Sequence, residues 1–323
     1  MAALLALKVD VDTLRGTREG VPPLVELLKR HGAGATFLFT LGPDRTGRAI
    51  KRVFRPGFLH KVKRTSVVEH YGLRTLLYGT LLPAPDIGRR AADLMRKVRD
   101  EGFEVGVHCW DHVKWQDNVG GADEEWTARE LRLACERFTE IFKTPPKTHG
   151  AAGWQVNVHA LRLSQDLGFD YCSNGRGRAP YRPVWKAELM ACPELPTTLP
   201  TLDELIGVDG LAADNVAAHV LGLTAPQDGR EQGLQPEAQV FTLHAELEGM
   251  RMLPVLDELL AGWKQQGYQL VSTGALYATL APFALPRCEV LTGSVPGRSG
   301  TLMVQGPEFL ASRELIADAV QAA

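Results

Sequence analysis

Short apolar runs that read as strands alternate with amphipathic helical segments along nearly the whole chain, and this alternation restricts the fold more than any other feature. A strand over 4–11 is followed by a helix over 21–31 that Gly32 stops. A strand over 35–40, a helix over 86–101 ended by Gly102, a strand over 103–108 and a helix over 123–142 come next. Later strand candidates are 148–151, 169–172, 189–192, 239–244 and 268–271, with helices at 158–167, 215–223 and 253–266 between most of them. Such β/α alternation calls for a parallel sheet, because parallel neighbours need a crossover connection. Seven or eight units with polar residues gathered at strand C-termini predict an α/β barrel rather than an open sheet.

Two of those strand ends carry chemistry. Asp10-Val11-Asp12 closes the first strand, and His108-Cys109-Trp110-Asp111-His112 closes the third. Residues two apart in a strand share a face, so Asp10 and Asp12 point the same way. Histidines four apart share a face where the chain turns helical. One carboxylate and two imidazoles (Asp12, His108 and His112) make a three-ligand site for one divalent metal ion, with a position left open for water. Asp10 is left beside that ion, where a general base belongs. The set is the kit for metal-assisted hydrolysis. A lone D-x-D more often caps a turn, and H-x3-H alone more often packs in a loop; the weight comes from both standing at strand ends of one β/α pattern. The donor set suits zinc first, then manganese or cobalt.

Charge and cysteine content narrow the setting. A formal net charge of −2 over 323 residues excludes a globally basic surface, so no nucleic-acid partner is expected. Cys109, Cys135, Cys172, Cys192 and Cys288 are odd in number and lack C-x-x-C spacing, which suits reduced thiols in a cytoplasmic protein. Residues 1–7 are apolar but have no basic start and no cleavage site, and run straight into Asp10, so no signal peptide is expected. No stretch approaches the roughly 18 apolar residues of a transmembrane helix.

One connection breaks the pattern. The insertion 44–83, after the second strand, far exceeds the usual two to six residues of a βα loop. Between Arg45 and Leu82 it holds nine Lys/Arg against one acid, Glu69, interleaved with apolar side chains. That mixture is typical of an interfacial membrane element. Lys51, Phe54, Phe58, Lys61, Lys63 and Arg64 are its candidate contacts with an anionic lipid surface. The plainer alternative is a helical excursion with its apolar side on the barrel. Residues 1–282 then form a single barrel, and 283–323 an extension outside it with no assigned role.

The strand-DxD, the strand-HxxxH and a late strand ending Phe241-Thr242-Leu243-His244 resemble the polysaccharide deacetylase (NodB-type) family. The resemblance implies a distorted (β/α)7–8 barrel, one divalent metal, Asp10 as catalytic base, Asp12, His108 and His112 as ligands, and His244 as general acid. The blocks Val9–Gly20, Gly150-Ala151-Ala152-Gly153-Trp154-Gln155 and Tyr171-Cys172-Ser173-Asn174-Gly175-Arg176-Gly177 are similar to one branch of that family. That branch removes the N-formyl group from an undecaprenyl-phosphate-linked 4-formamido-4-deoxy-L-arabinose, in lipid A modification and polymyxin resistance. The likeness spans roughly residues 7–300, and places the protein at the cytoplasmic face of the inner membrane. The wider family holds its base with an arginine from an Arg-x-Pro-Tyr-like segment; the matching stretch here, Lys147–Ala152, has none. Arg176 and Arg18 are the candidates to replace it. Arg15, Arg18, Arg176 and Trp154 are candidate substrate contacts, with surface arginine and packed tryptophan as the plainer alternatives.

Three other functions compete. An N-deacetylase acting on another acylated aminosugar would use the same chemistry, and only the specific motif blocks favour formyl. A D-x-D glycosyltransferase needs a nucleotide-binding region ahead of its motif, and nine residues precede Asp10. A non-catalytic, membrane-recruited barrel would be expected to close its metal site with four protein ligands.

Overall fold

The computed structural model describes residues 3–49, 72–225 and 238–310. Its centre is the strand β1, Leu4–Val11, whose residues from Leu5 onward are all buried. Around it stand β2 (Thr36–Thr40), β3 (Glu104–Cys109), β4 (Thr148–His149), β5 (Tyr171–Cys172), β8 (Ala238–His244) and β9 (Gln269–Ser272). The order is β5-β4-β3-β2-β1-β8, all parallel, with β9 also paired to β1. The first half of β1 (Leu4–Leu7) pairs with β9 and the second half (Lys8–Val11) with β2, while β8 runs along its other side. Helices α1 (Val21–His31), α2 (Ile87–Asp100), α3 (His112–Asn118), α4 (Glu124–Phe142), α5 (Val158–Asp166), α6 (Leu202–Leu205), α7 (Val216–Thr224) and α8 (Leu253–Gln265) lie in the connections between these strands, and α9 (Thr273–Tyr277) follows the last of them. Their boundaries obey local chemistry. Asp86 and Asp123 accept from the first-turn amides of α2 and α4, and Gly32 ends α1 in the left-handed region.

The barrel closes irregularly. Between β5 and β8 the extended segment 193–199 bonds to both: Leu195 N donates to Cys172 O, and Thr198 N to Val240 O. Pro193 and Pro196 remove donors from this segment, which keeps it from becoming a regular ladder strand. The strand expected at 189–192 is therefore not a barrel strand. Glu188–Leu189 (β7) instead forms an antiparallel hairpin with Arg182–Trp185 (β6), in a second sheet ordered β11-β10-β6-β7. The strands β10 (Arg287–Gly293) and β11 (Leu302–Glu308) come from the segment after residue 282. That segment bonds back to the barrel, with Arg176 N donating to Met303 O and Gln305 N to Arg176 O. The expected membrane contacts Lys51, Phe54, Phe58, Lys61, Lys63 and Arg64 lie outside the described residues.

His149, on β4, is fully buried against Phe169 and the edge of Trp115. Burial, reinforced by His108 and Lys8, pulls its pKa down to about 3. The folded state then binds fewer protons than the unfolded chain between about pH 3 and 6.5, so folding stability should fall as pH drops through that window. Urea unfolding of His149→Phe and the parent across pH 4–7 should show a shallower acid loss in the variant. Parallel slopes would remove His149 from the acid sensitivity.

Candidate active site

Strand register brings the reactive groups together. Asp10 is paired directly with His244 across β1 and β8, which puts a carboxylate and an imidazole on neighbouring strand ends. Asp12 comes next, in the loop after β1. Its Oδ1 lies 3.3 Å from His108 Nε2 and its Oδ2 3.4 Å from His112 Nε2. His108 projects from β3, whereas His112 is the first residue of α3, so a tight strand-to-helix turn, not one helix face, juxtaposes them. Asp111 fixes that turn: it caps α3 at Lys114 N and accepts from Arg45 Nη1 at 2.6 Å.

Asp12, His108 and His112 each offer one ligand atom, all within 4.8 Å of one another. Their neighbours prepare them for a cation. The Gly150 carbonyl lies 2.7 Å from His108 Nδ1, and a carbonyl can only accept, so Nδ1 carries a proton and Nε2 is the ring nitrogen turned towards Asp12. Asp12 Oδ1 is buried with no hydrogen-bond partner, as a metal ligand without its ion would be. Burial alone would raise the Asp12 pKa, but His112 and His108 outweigh it and hold it well below the usual carboxylate range. Burial likewise opposes charge on His108, and Asp10 and Asp12 overcome it to raise its pKa. Three convergent donors of this chemistry fit a divalent ion.

The loop carrying Asp12 is tied down by Glu246, just past β8. One oxygen, Oε1, accepts from Asp12 N, Thr13 N and Thr13 Oγ1 at 2.7–3.1 Å. A Cβ on Gly16 would lie 1.9 Å from that same oxygen, so any larger residue there would push the Glu246 carboxylate off its three donors. Glu248 Oε2 accepts from His244 N at 2.6 Å, and burial pushes the Glu248 pKa up to about 7. His244 Nδ1 faces Asp203 Oδ1 at 3.9 Å.

Neither arginine expected to hold Asp10 does so. Arg18 donates to the Arg90 carbonyl; Arg176 is spent on Glu204 and the Leu199 carbonyl. The cation beside Asp10 is Lys8, fully buried, with Nζ 3.5 Å from Asp10 Oδ2 and donating to Ser173 O at 3.1 Å. Burial lowers the Lys8 pKa, against the pull of Asp10 and Glu194. The indole of Trp154 lies 5.3 Å from Nζ. Strand alternation could have found Lys8, since it stands two residues before Asp10 on the same face. Nothing local marks Asp203, Glu246 or Glu248.

The remaining substrate-contact candidates lie at different depths. Arg15 is 28% exposed and pairs with Glu19. Trp154 is only 1% exposed, donates to Thr197 Oγ1, and has Arg298 over its ring. Arg176 is 8% exposed. Trp154 and Arg176 thus serve inside the wall of the site rather than on its open side.

A parallel barrel with an open Asp-His-His site, an adjacent carboxylate and a facing histidine defines a metal-dependent hydrolase architecture. The polysaccharide deacetylase family model matches residues 5–172, and the chain belongs to that family. It is 36% identical over 305 residues to a 4-deoxy-4-formamido-L-arabinose-phosphoundecaprenol deformylase of Shewanella sediminis, covering 93% of this chain and 94% of that one. A protein of the same description from Wigglesworthia glossinidia brevipalpis is 28% identical over 291 residues, covering 90% and 98%. Among solved structures, a polysaccharide deacetylase from Mycobacterium smegmatis matches with a TM-score of 0.58 at 17% identity, over 92% of this chain and 96% of that one.

If Lys8 holds Asp10, Lys8→Met should keep metal content, measured by elemental analysis, while kcat drops about 10- to 100-fold, as a slight misplacement of a catalytic group does. Lys8→Arg should recover most of the loss. Loss of metal together with activity would make Lys8 a support of the ligand set instead.

Proposed function

We propose that this protein hydrolyses the N-formyl group of an undecaprenyl-phosphate-linked 4-formamido-4-deoxy-L-arabinose, giving the free aminosugar lipid and formate. The observation that carries this is the pairing of Asp10 with His244 across β1 and β8 beside the Asp12–His108–His112 cluster. The long deformylase relatives support the choice of acyl group.

A divalent ion, zinc being the best fit to one carboxylate and two imidazoles, would be held by Asp12, His108 and His112, where it lowers the pKa of water and polarises the amide carbonyl. Asp10 takes the proton of the attacking water, with Lys8 and the pleat of β1 fixing which way the carboxylate points. His244 stands on the neighbouring strand and gives a proton to the sugar nitrogen as the C–N bond breaks. Glu246 and the Gly150 carbonyl hold the loop and the imidazole in place, so little reorganisation accompanies the reaction.

A lipid-linked substrate keeps the sugar at a membrane surface, so the enzyme must come to it. Among the described residues no helix is long and apolar enough to cross a membrane. The basic and apolar composition of 45–82 supports peripheral docking on the anionic cytoplasmic face of the inner membrane, and Leu73 and Leu81, 68% and 81% exposed, stand at its described end.

Purified protein loaded with zinc should release free amine, detected by mass spectrometry, from the formylated lipid and far less from its acetylated counterpart. Asp10→Asn and His244→Ala should retain the metal and lower kcat by about 10²- to 10⁴-fold. Replacing Lys61, Lys63 and Arg64 with Glu should slow turnover of substrate held in anionic vesicles and spare a short-chain soluble analogue. Preference for the acetylated lipid would overturn the substrate; equal loss on vesicles and analogue would overturn the docking role.

A further inference from the structure

The segment after residue 282 reaches the reacting centre. The turn between β10 and β11 contains Gly297, with φ +78°, where an added Cβ would lie 2.1 Å from the carbonyl oxygen of Glu204. The turn is therefore pressed onto α6. The next residue, Arg298, has a side chain only 12% exposed. Its guanidinium lies 4.3 Å from the centroid of the Trp154 ring, 3.4 Å from Glu204 Oε1 and 3.7 Å from Asp203 Oδ2. Asp203 turns its other oxygen towards His244 Nδ1 at 3.9 Å, and the Trp154 ring meets the His244 ring edge-on at 6.2 Å. One cation thus touches both the carboxylate facing the acid and the indole beside it.

We propose that Arg298 is a positioning residue for the general acid, placed by the C-terminal hairpin so that Asp203 and Trp154 hold the His244 ring in its donating orientation. The inference rests on reading the site as an amide hydrolase. Asp203 sits on a one-turn helix, and Thr201 Oγ1 donates to its Oδ1 at 2.5 Å. Arg298 stands 3.7 Å from the second oxygen, and the first faces Nδ1 at 3.9 Å, an ion-pair rather than a hydrogen-bond separation to a ring nitrogen that has no hydrogen-bond partner. A carboxylate so placed stabilises the imidazolium and sets the ring so that Nε2–H points at the leaving nitrogen. In the reaction the C–N bond breaks, the nitrogen takes the His244 proton, and the imidazole is reprotonated from water.

The leaving group separates this role from a structural one. An amine must be protonated to depart, whereas p-nitrophenolate leaves from an aryl formate without a proton. Arg298→Met should lower kcat on the formamide lipid about 10- to 100-fold with KM and metal content unchanged, and reduce aryl formate hydrolysis far less. Gly297→Ala, which lifts the turn but keeps the charge, should give the same selective loss. Arg298→Met should cost nothing further in a His244→Ala background. Equal losses on amide and ester, a loss confined to KM, or full additivity with His244→Ala would each overturn the proposal. If the parent protein hydrolyses an acetamido sugar and not the formamide, the substrate reading fails and the Arg298 comparison is made on the acetamide. If it hydrolyses neither amide, both fall.

Discussion

Charge carried on a central barrel strand governs the rest of this structure. β1 sends Lys8 and Asp10 into the interior of the barrel, where they are 0% and 3% exposed. Stripping an ion of water costs several kcal/mol even after relaxation, so neither side chain is tolerable alone. The surroundings offset this cost. Lys8 pairs with Asp10, donates to the Ser173 carbonyl and lies against Trp154. Glu194, near Lys8 and pushed up to about 7 by burial, accepts from both nitrogens of Asn174. The segments that supply these partners, 171–176 and 193–199, are also those that close the barrel between β5 and β8. Closure and active-site electrostatics are therefore one problem solved by the same residues.

The surroundings of His244, the proposed acid, are built differently. His244 ends a regular strand, but its neighbours come from three separate stretches: Asp203 from a one-turn helix, Trp154 from the loop after β4, and Arg298 from the C-terminal hairpin. Trp154 has φ +55° and comes directly after Gly153 at +62°, a local backbone cost of the kind that persists where surrounding contacts over-determine a side chain. Here the contacts are the Thr197 hydroxyl and the guanidinium of Arg298. The family match ends at residue 172, yet His244, Asp203 and Arg298 all lie beyond it. On the proposed chemistry, the residues that activate water lie within the matched family region, and those that serve the leaving group lie mainly downstream of it.

Much of the barrel is legible in the chain because its signals are local. The α1 helix ends where Gly32 permits a left-handed cap, and α4 begins at Asp123, as the residues themselves imply. Asp10, Asp12, His108 and His112 are within reach for the same reason, since strand alternation and a strand-to-helix turn suffice to group them. The illegible part is long-range. The segment 193–199 makes its bonds to β5 and β8 without strand periodicity, so the apolar run at 189–192 imitates the barrel strand better than the segment that closes the barrel. Arg176 and Arg18 are arginines in suitable loops, which makes both plausible holders of Asp10, yet Glu204 and the Arg90 carbonyl claim them. Lys8 is the cation found beside Asp10, on the same strand face two residues earlier, and strand alternation alone could have pointed to it. The tail after 282 reads as an appendage because nothing in Ser294–Gly300 announces that its arginine will lie on a tryptophan more than a hundred residues away.

The proposed chemistry requires a metal centre with three protein ligands and a carboxylate kept out of the coordination shell. Anomalous diffraction at the zinc edge from crystals of the zinc-loaded protein measures this directly. The expected result is a single ion with Asp12 oxygen and the Nε2 atoms of His108 and His112 at about 2.0–2.2 Å, and the Asp10 carboxylate outside bonding distance beside an open position. An Asp10 oxygen within that shell, or a fourth protein ligand closing it, would contradict the assignment of Asp10 as the base.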